Sequence, residues 1–271
     1  MKRVPLLAGS GMLILASFAN AGSYQGEVFG EYGRIDTDSG DIRGIEVGGK
    51  YHLKPVVTDN KPLAEAAFIT KSSWLGAALY DEELTIDAPG KDTKVDIDGV
   101  IFNGHYVMPH ASKQHDQYLI GAEISTGDID GVHLYGGLYL NRHIKYDSTL
   151  LLSFTHTDAD GDTFNLNAIG AHFKMLRPYE GRVFNIEGSI EFIDQDGTTA
   201  NFQAEVDYYF NPTTSLGGLF GIALGDADGF RTGIRAQHFV TEQLSFYGTA
   251  TVANLDDEDV KTLDLGVNVR F

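Results

Sequence analysis

The chain has 271 residues, of which 38 are acidic and 20 are basic, so its formal net charge is −18 at pH 7. This acidic balance speaks against nucleic acid as a partner, because binding to phosphates requires a basic surface. The absence of cysteine excludes a disulfide-stapled fold and an enzyme that uses a thiol.

The first 21 residues have the three parts of a secretory signal peptide. A basic pair precedes an apolar stretch over residues 6–18, and the small residues Ala19 and Ala21 follow. The stretch is too short to span a bilayer as a helix. We therefore expect export and cleavage after Ala21, and loss of Lys2 and Arg3 would change the net charge from −18 to −20.

The remainder of the chain, residues 22–271, is predicted to form one domain of short strands. Apolar and polar residues alternate with the two-residue period of a strand that has one apolar and one polar face. Two kinds of connection alternate strictly: one is acidic and rich in glycine, and the other often holds proline or a basic residue. The predicted strands are 23–35, 42–53, 63–80, 92–108, 115–126, 131–141, 147–157, 163–175, 180–193, 199–210, 213–225, 229–240, 243–253 and 260–271.

This order predicts an all-β, antiparallel up-and-down barrel of about 14 strands, or about 12 if one hairpin is lost near 81–95 or 141–149. Alternate turns then leave at opposite ends, so the acidic loops share one end of the barrel. No apolar run long enough for a transmembrane helix follows residue 21. A closed barrel is therefore the form in which this chain could cross a membrane.

Four strands end in a common pattern, with a small residue, an aromatic ring two positions later and an aliphatic residue two positions after that. The pattern occurs at residues 49–53, 104–108, 171–175 and 236–240. Rings near one end of each strand are typical of the aromatic girdle of transmembrane barrels. A soluble barrel with aromatic core residues is the alternative.

The width of the barrel decides which face lies inside. A barrel of about 14 strands is too wide for one layer of side chains to fill, so the polar face should line a lumen and the apolar face should meet lipid. Val47, Tyr51, Val206 and Phe210 should then point outward. The residues predicted to line a pore are Glu46, Lys50, Glu123, Lys174, Glu187, Glu191, Glu205, Asp207, Arg231, Arg235, Asp264 and Arg270.

The last predicted strand carries apolar residues at every second position. They are Leu263, Leu265, Val267, Val269 and Phe271. This strand resembles the last strand of Gram-negative outer-membrane β-barrels, in which it is the signal that the insertion machinery recognises. Residues 62–69 are similar to a segment of a gammaproteobacterial group described as "putative porins". The resemblance implies an outer-membrane location, with membrane lipid, lipopolysaccharide and the insertion machinery as partners.

The charges predicted for the lumen have two interpretations. Basic residues on late strands and acidic residues on earlier strands could set up a field across the pore, as in general porins. They could also pair locally and only solvate the wall. General porins narrow their lumen with a long loop, and the candidate for such a loop here is 81–93.

A metal site or cofactor is not expected. Asp158, Asp160 and Asp162 resemble the opening of a calcium loop, but the twelfth position is Ile169 and no helices flank the motif. Aspartate and glycine are ordinary turn residues in such loops. Clustered carboxylates beside lipopolysaccharide could still share divalent cations with its phosphates.

Catalysis is not expected either. His110 and Ser112 have a spacing that resembles outer-membrane phospholipase, but they follow Pro109 in a predicted turn and lack an orienting third group. The favoured function is a porin-like channel for passive diffusion of small hydrophilic solutes, mildly cation-preferring because of its acidic mouth. The alternatives are a non-conducting structural or adhesive barrel and an outer-membrane barrel hydrolase.

Overall fold

The structure is a computed structural model and describes residues 22–59, 61–86, 93–109, 116–140, 146–159, 164–194, 197–226, 228–255 and 258–271. Fourteen strands make up most of this part of the chain. Their bounds are β1 Ser23–Thr37, β2 Gly40–Val57, β3 Trp74–Ile86, β4 Thr93–Val107, β5 Gln117–Gly127, β6 Ile129–Tyr139, β7 Ser148–Ala159, β8 Phe164–Tyr179, β9 Arg182–Asp194, β10 Thr198–Asn211, β11 Thr214–Gly225, β12 Gly229–Phe239, β13 Leu244–Leu255 and β14 Glu258–Arg270.

The strands form a closed antiparallel barrel. Each strand pairs with its neighbours in sequence, and the ring closes where β1 pairs with β14, with Gly30 opposite Val267. The even number of strands brings Ser23 and Arg270 to the same end of the barrel, which we call the terminal end. The predicted up-and-down barrel of fourteen strands is confirmed, and the alternative of twelve is excluded.

Apolar side chains cover the outer surface, as the alternation predicts. Val47 and Tyr51 on β2 are 46% and 56% exposed, and Val206 and Phe210 on β10 are 45% and 41% exposed. Glu46, which precedes Val47 on β2, borders an internal cavity. The apolar face is therefore outside and the polar face inside.

Two tyrosine rings of the inner wall lie directly over glycines of the neighbouring strand. Tyr135 on β6 is opposite Gly121 on β5, and a Cβ at Gly121 would come 2.1 Å from the ring. Tyr247 on β13 has the same relation to Gly266 on β14, again with 2.1 Å to the ring. Any larger residue at either glycine would push the ring away from the wall.

The connection between β2 and β3, described for residues 58–59 and 61–73, folds into the barrel at the terminal end, and we call it the inner segment. It contains a 3-10 turn at Leu63–Glu65 and a short helix, α1, at Ala66–Ile69. The strand predicted over 63–80 is therefore wrong for residues 63–73. Leu, Ala and Glu favour a helix, and Pro62 before them cannot donate a hydrogen bond to a strand ladder.

Buried apolar side chains are concentrated where the inner segment meets the wall. One cluster joins Ala66 to Tyr24 and Val56. A second cluster is formed by one residue each from β4, β5 and β6, and Phe68 of the inner segment packs against it. The packed core of the described part thus holds the inner segment in place.

Only the two ends of the loop predicted to reach into the lumen, 81–93, are described. Residues 81–86 continue β3 and Thr93 begins β4, while residues 87–92 lie outside the described part of the chain. The proposed signal peptide, residues 1–21, also lies outside it. None of the helices in the described ranges is long and apolar enough to cross a membrane.

Candidate pore and its constriction

A cavity of about 540 Å³ lies inside the barrel. Ala64 and Glu65 of the inner segment border it, and side chains of β1, β2, β4 and β8–β14 form its wall. Six of the residues predicted to line a pore border this cavity: Glu46, Lys50, Lys174, Glu187, Asp207 and Arg235.

The inner segment touches the wall on several sides. The backbone N–H of Leu63 donates to the carbonyl of Pro212, which follows β10, at 2.8 Å. On another side, Ser73 Oγ accepts a hydrogen bond from the N–H of Val107 on β4 at 2.9 Å. Phe68 packs against the cluster on β4–β6. The inner segment therefore crosses the lumen and narrows it at the terminal end.

Glu65 is a buried charge in the middle of the inner segment, with only 6% of its surface exposed. Its Oε1 accepts a hydrogen bond from the hydroxyl of Tyr209 at 2.8 Å, and its Oε2 lies 2.9 Å from Lys174 Nζ. The same ammonium is 5.1 Å from the centre of the Phe68 ring. The carboxylate is thus both neutralised and hydrogen-bonded, as a charge held away from water must be.

Lys71 follows α1 in a left-handed backbone conformation, with φ at 53°. This conformation is uncommon for residues other than glycine. The Lys71 ammonium lies 5.2 Å from the centre of the Tyr139 ring. Burial lowers the pKa of this ammonium, and the carboxylates of Asp147 and Asp116 oppose the shift. The turn after α1 is therefore held in place by contacts with the wall.

Ion pairs on β8–β12 form a network that we call the paired cluster. Lys174 Nζ lies 3.1 Å from Glu187, and Arg235 pairs with Glu205 and Asp207. Arg235 also lies 3.5 Å from Glu187, which is three strands away. Of the two interpretations of the lumen charges, local pairing describes these residues.

Glu27 on β1 is a second buried carboxylate, which the sequence analysis does not single out. It accepts hydrogen bonds from His52 Nε2 at 2.8 Å and from Arg270 Nε at 3.3 Å. His52 Nδ1 then contacts Ser72 Oγ at 2.9 Å, and Arg270 donates to the carbonyl of Leu63 at 2.8 Å. Through these two partners Glu27 fastens both ends of the inner segment.

Ser72, His52 and Glu27 are ordered like the nucleophile, base and orienting acid of a serine hydrolase. Their side chains are buried, with residue exposures of 7%, 1% and 8%. Arg270 also neutralises Glu27. A serine enclosed in this way does not offer its hydroxyl to a substrate, so these contacts fasten the chain.

Three carboxylates on the opposite side of the lumen, Glu31, Glu46 and Asp264, form what we call the acidic wall. Glu31 on β1 is directly opposite Glu46 on β2, and both border the cavity. Asp264 on β14 is opposite Gly33 of β1. Tyr247 donates a hydrogen bond to Glu31 at 2.7 Å. Among the described side chains no ion pair involves these three carboxylates, so no direct contact with a cation neutralises the acidic wall.

Comparisons with known proteins agree with this architecture. The family model described as "Putative general bacterial porin" matches residues 140–271, slightly less than half of the chain. The outer membrane protein Omp33 of Acinetobacter baumannii has a similar structure, with a TM-score of 0.65 and 20% sequence identity over 93% of this chain and 100% of that chain. The chain is thus similar to outer-membrane porins in fold and, over residues 140–271, in sequence.

Two further solved structures are more distant from this porin-like barrel. The translocator domain of the autotransporter NalP from Neisseria meningitidis has a TM-score of 0.49 and 11% identity, covering 96% of this chain and 92% of that chain. A KdgM porin has a TM-score of 0.43 and 10% identity, covering 90% of this chain and 99% of that chain. No curated protein matches the chain in sequence.

The other six residues predicted to line the pore are not among the described side chains that border the cavity. They are Glu123, Glu191, Glu205, Arg231, Asp264 and Arg270. Glu205 and Arg270 are engaged in ion pairs. Glu123 accepts a hydrogen bond from Asn103 at 3.4 Å, and Arg231 donates to Gln203 at 3.5 Å.

The residues that sequence reasoning missed are those that fasten the inner segment. Glu27, Glu65 and Tyr209 are each a single polar residue in a segment assigned to a strand. The available signal was the run Pro62–Ile69, which is similar to proteins described as porins and is rich in helix formers.

Proposed function

We propose that this porin-like barrel is a channel for passive diffusion of small hydrophilic solutes across the outer membrane, with a mild preference for cations. The observation that carries the proposal is the cavity inside the closed barrel, which is bordered by charged side chains. Water and small polar solutes are the natural contents of such a space.

The charge of the cavity supports a preference for cations. Six carboxylates border it, on Glu27, Glu31, Glu46, Glu65, Glu187 and Asp207, against three cations on Lys50, Lys174 and Arg235. A cleft lined by an excess of one sign concentrates ions of the opposite sign.

The test is planar-bilayer recording of the protein purified in detergent, with heat-modifiable gel mobility as the check on folding. Under a salt gradient, the reversal potential should have the sign of a cation-preferring channel. Anion preference would overturn the selectivity. The channel itself would be overturned if neither the wild type nor a variant with residues 61–71 replaced by a short Gly-Ser turn conducts.

A non-conducting structural barrel is the second candidate, and the inner segment that crosses the lumen favours it. The same recordings separate the two candidates. The candidate pair His110 and Ser112 lies outside the described residues, and Ser72, which contacts His52, is enclosed and does not support a hydrolase.

We also propose that β14 is the strand that the insertion machinery recognises. Leu263 and Leu265 are 42% and 51% exposed on the outer surface, and Phe271 exchanges backbone hydrogen bonds with Gly26 at the seam. Replacing Phe271 with serine should lower the yield of heat-modifiable protein in the outer membrane. Lipopolysaccharide is proposed to contact the acidic-loop end, and chelator-sensitive thermal stability would support shared divalent cations there.

A further inference from the structure

We infer that the inner segment is a gate and that Glu65 is the latch that holds it closed. The inference rests on the channel function proposed above. In the open position Glu65 has left Lys174 and Tyr209, residues 64–71 have moved away from the lumen, and the cavity is continuous with the terminal end.

The first reason is how the moving part is held. Residues 63–69 are helical and form no ladder with the wall, and α1 has only four residues, Ala66–Ile69. A helix of this length is not stable in water by itself. Its position therefore depends on side-chain contacts with the barrel, and such contacts can break without disturbing any strand.

The second reason is that no buried charge of the wall is left unpaired when Glu65 leaves. Lys174 has another carboxylate partner in the paired cluster, Glu187, at 3.1 Å. The carboxylate of Glu65 would reach water at the terminal end of the barrel. Neither partner of the latch is then left as an unpaired buried charge, which is the usual obstacle to breaking a buried ion pair.

The third reason is that the ends of the inner segment are fixed independently of the latch. Arg270 holds Leu63, His52 holds Ser72, and both bond to Glu27. The moving part is thus bounded by two anchored residues. Lys71, with its φ of 53°, lies beside the second anchor, where release would relieve backbone strain.

The first experiment compares bilayer recordings of the full chain with and without Glu65→Gln. The substitution keeps an acceptor for Tyr209 and removes the attraction to Lys174, so the occupancy of the open state should rise by about tenfold. Glu191→Gln is the matched control, since it removes an inner-face carboxylate that has no contact with the inner segment, and it should leave the occupancy unchanged.

The second experiment detects the movement directly, because the chain has no cysteine. Ala66 is 0% exposed in the closed position, so the single variant Ala66→Cys should react slowly with a charged thiol reagent. Adding Glu65→Gln should accelerate labelling by about tenfold. Ser245→Cys, at a 0% exposed position of the wall, is the control, and its labelling rate should not change.

The outcomes separate the latch from the channel. Unchanged open-state occupancy in Glu65→Gln would overturn the latch. Equal acceleration of labelling at both cysteine positions would also overturn it, because it indicates general loosening of the barrel. The variant with residues 61–71 replaced by a Gly-Ser turn should conduct whether or not Glu65 is a latch. If neither that variant nor the wild type conducts, the channel function itself is refuted.

Discussion

The paired cluster and the acidic wall consist of the same residue types at the same kind of position, yet they differ in what lies beside them. In both, carboxylates point into the lumen and alternate with apolar residues on the outer face. Lys174 and Arg235 neutralise the paired cluster, whereas Glu31 on the acidic wall faces Glu46. The role of a lumen carboxylate therefore depends on its neighbours across the strands. The paired cluster stabilises the barrel, and the acidic wall determines the electric field in the lumen.

The largest expected effect comes from removing Arg235, one of the two cations of the paired cluster. Arg235→Gln leaves Glu205 and Asp207 without their partner, so the free energy of unfolding should fall by about 3 kcal/mol. Urea unfolding in lipid vesicles measures it. The control is Arg34→Gln, which breaks an exposed pair with Asp36 and should cost less than about 1 kcal/mol. Equal losses of unfolding free energy in the two variants would show that the paired cluster stabilises the barrel no more than an exposed ion pair does.

The next effect concerns selectivity. Replacing both Glu31 and Glu46 with glutamine removes two facing negative charges from the cavity, so the reversal potential should shift strongly toward that of an unselective channel. Stability should stay unchanged or rise by up to about 1 kcal/mol, because like charges directly opposite each other are relieved. A loss of stability without a change in reversal potential would show that the acidic wall stabilises the fold and does not determine ion selectivity.

A smaller shift of the reversal potential, in the opposite direction, is expected when Lys50 is replaced. Its ammonium lies 4.9 Å from the centre of the Trp74 ring and 5.8 Å from that of Phe29, beside the acidic wall. Lys50→Gln removes one positive charge from the cavity and should increase cation preference modestly. The lost cation–π contacts should cost about 1 kcal/mol or less. Reversal potentials test it, and reduced cation preference would count against the charge argument.

The smallest effect is expected at Tyr247, whose hydroxyl hydrogen-bonds to Glu31. Tyr247→Phe keeps the ring over Gly266 and removes that bond, so the free energy of unfolding should fall by about 1 kcal/mol. The charge of the acidic wall is retained, and the reversal potential should not move. A change in selectivity as large as that of the double glutamine variant would show that the hydroxyl, and not the charge, determines the preference.

The strands could be predicted from the sequence because each is specified locally. Alternation identifies a strand such as β14 without knowledge of its partners, and the width of the barrel then assigns the apolar face to lipid. The same alternation misled the assignment of residues 63–73, where the helix is stabilised by Tyr209 and Lys174, more than a hundred positions away. Contacts of that kind have no local signature.

The ion-pair partners of the lumen charges could not be predicted from the sequence, for a related reason. Arg235 reaches Glu187 across β10 and β11, and such a contact depends on the register of every strand between them. An error of one residue in register reverses the face of each side chain. The candidate pore residues could be named from alternation, but their partners could not.

The tyrosines that lie over Gly121 and Gly266 have a consequence for the bore of this barrel. A methyl group at either glycine would lift a phenol ring off the wall and into the water-filled space, without altering any charge. The width of the pore and its ion selectivity thus depend on different residues. Gly121→Ala and Gly266→Ala would narrow the passage in small steps, with single-channel conductance as the gauge.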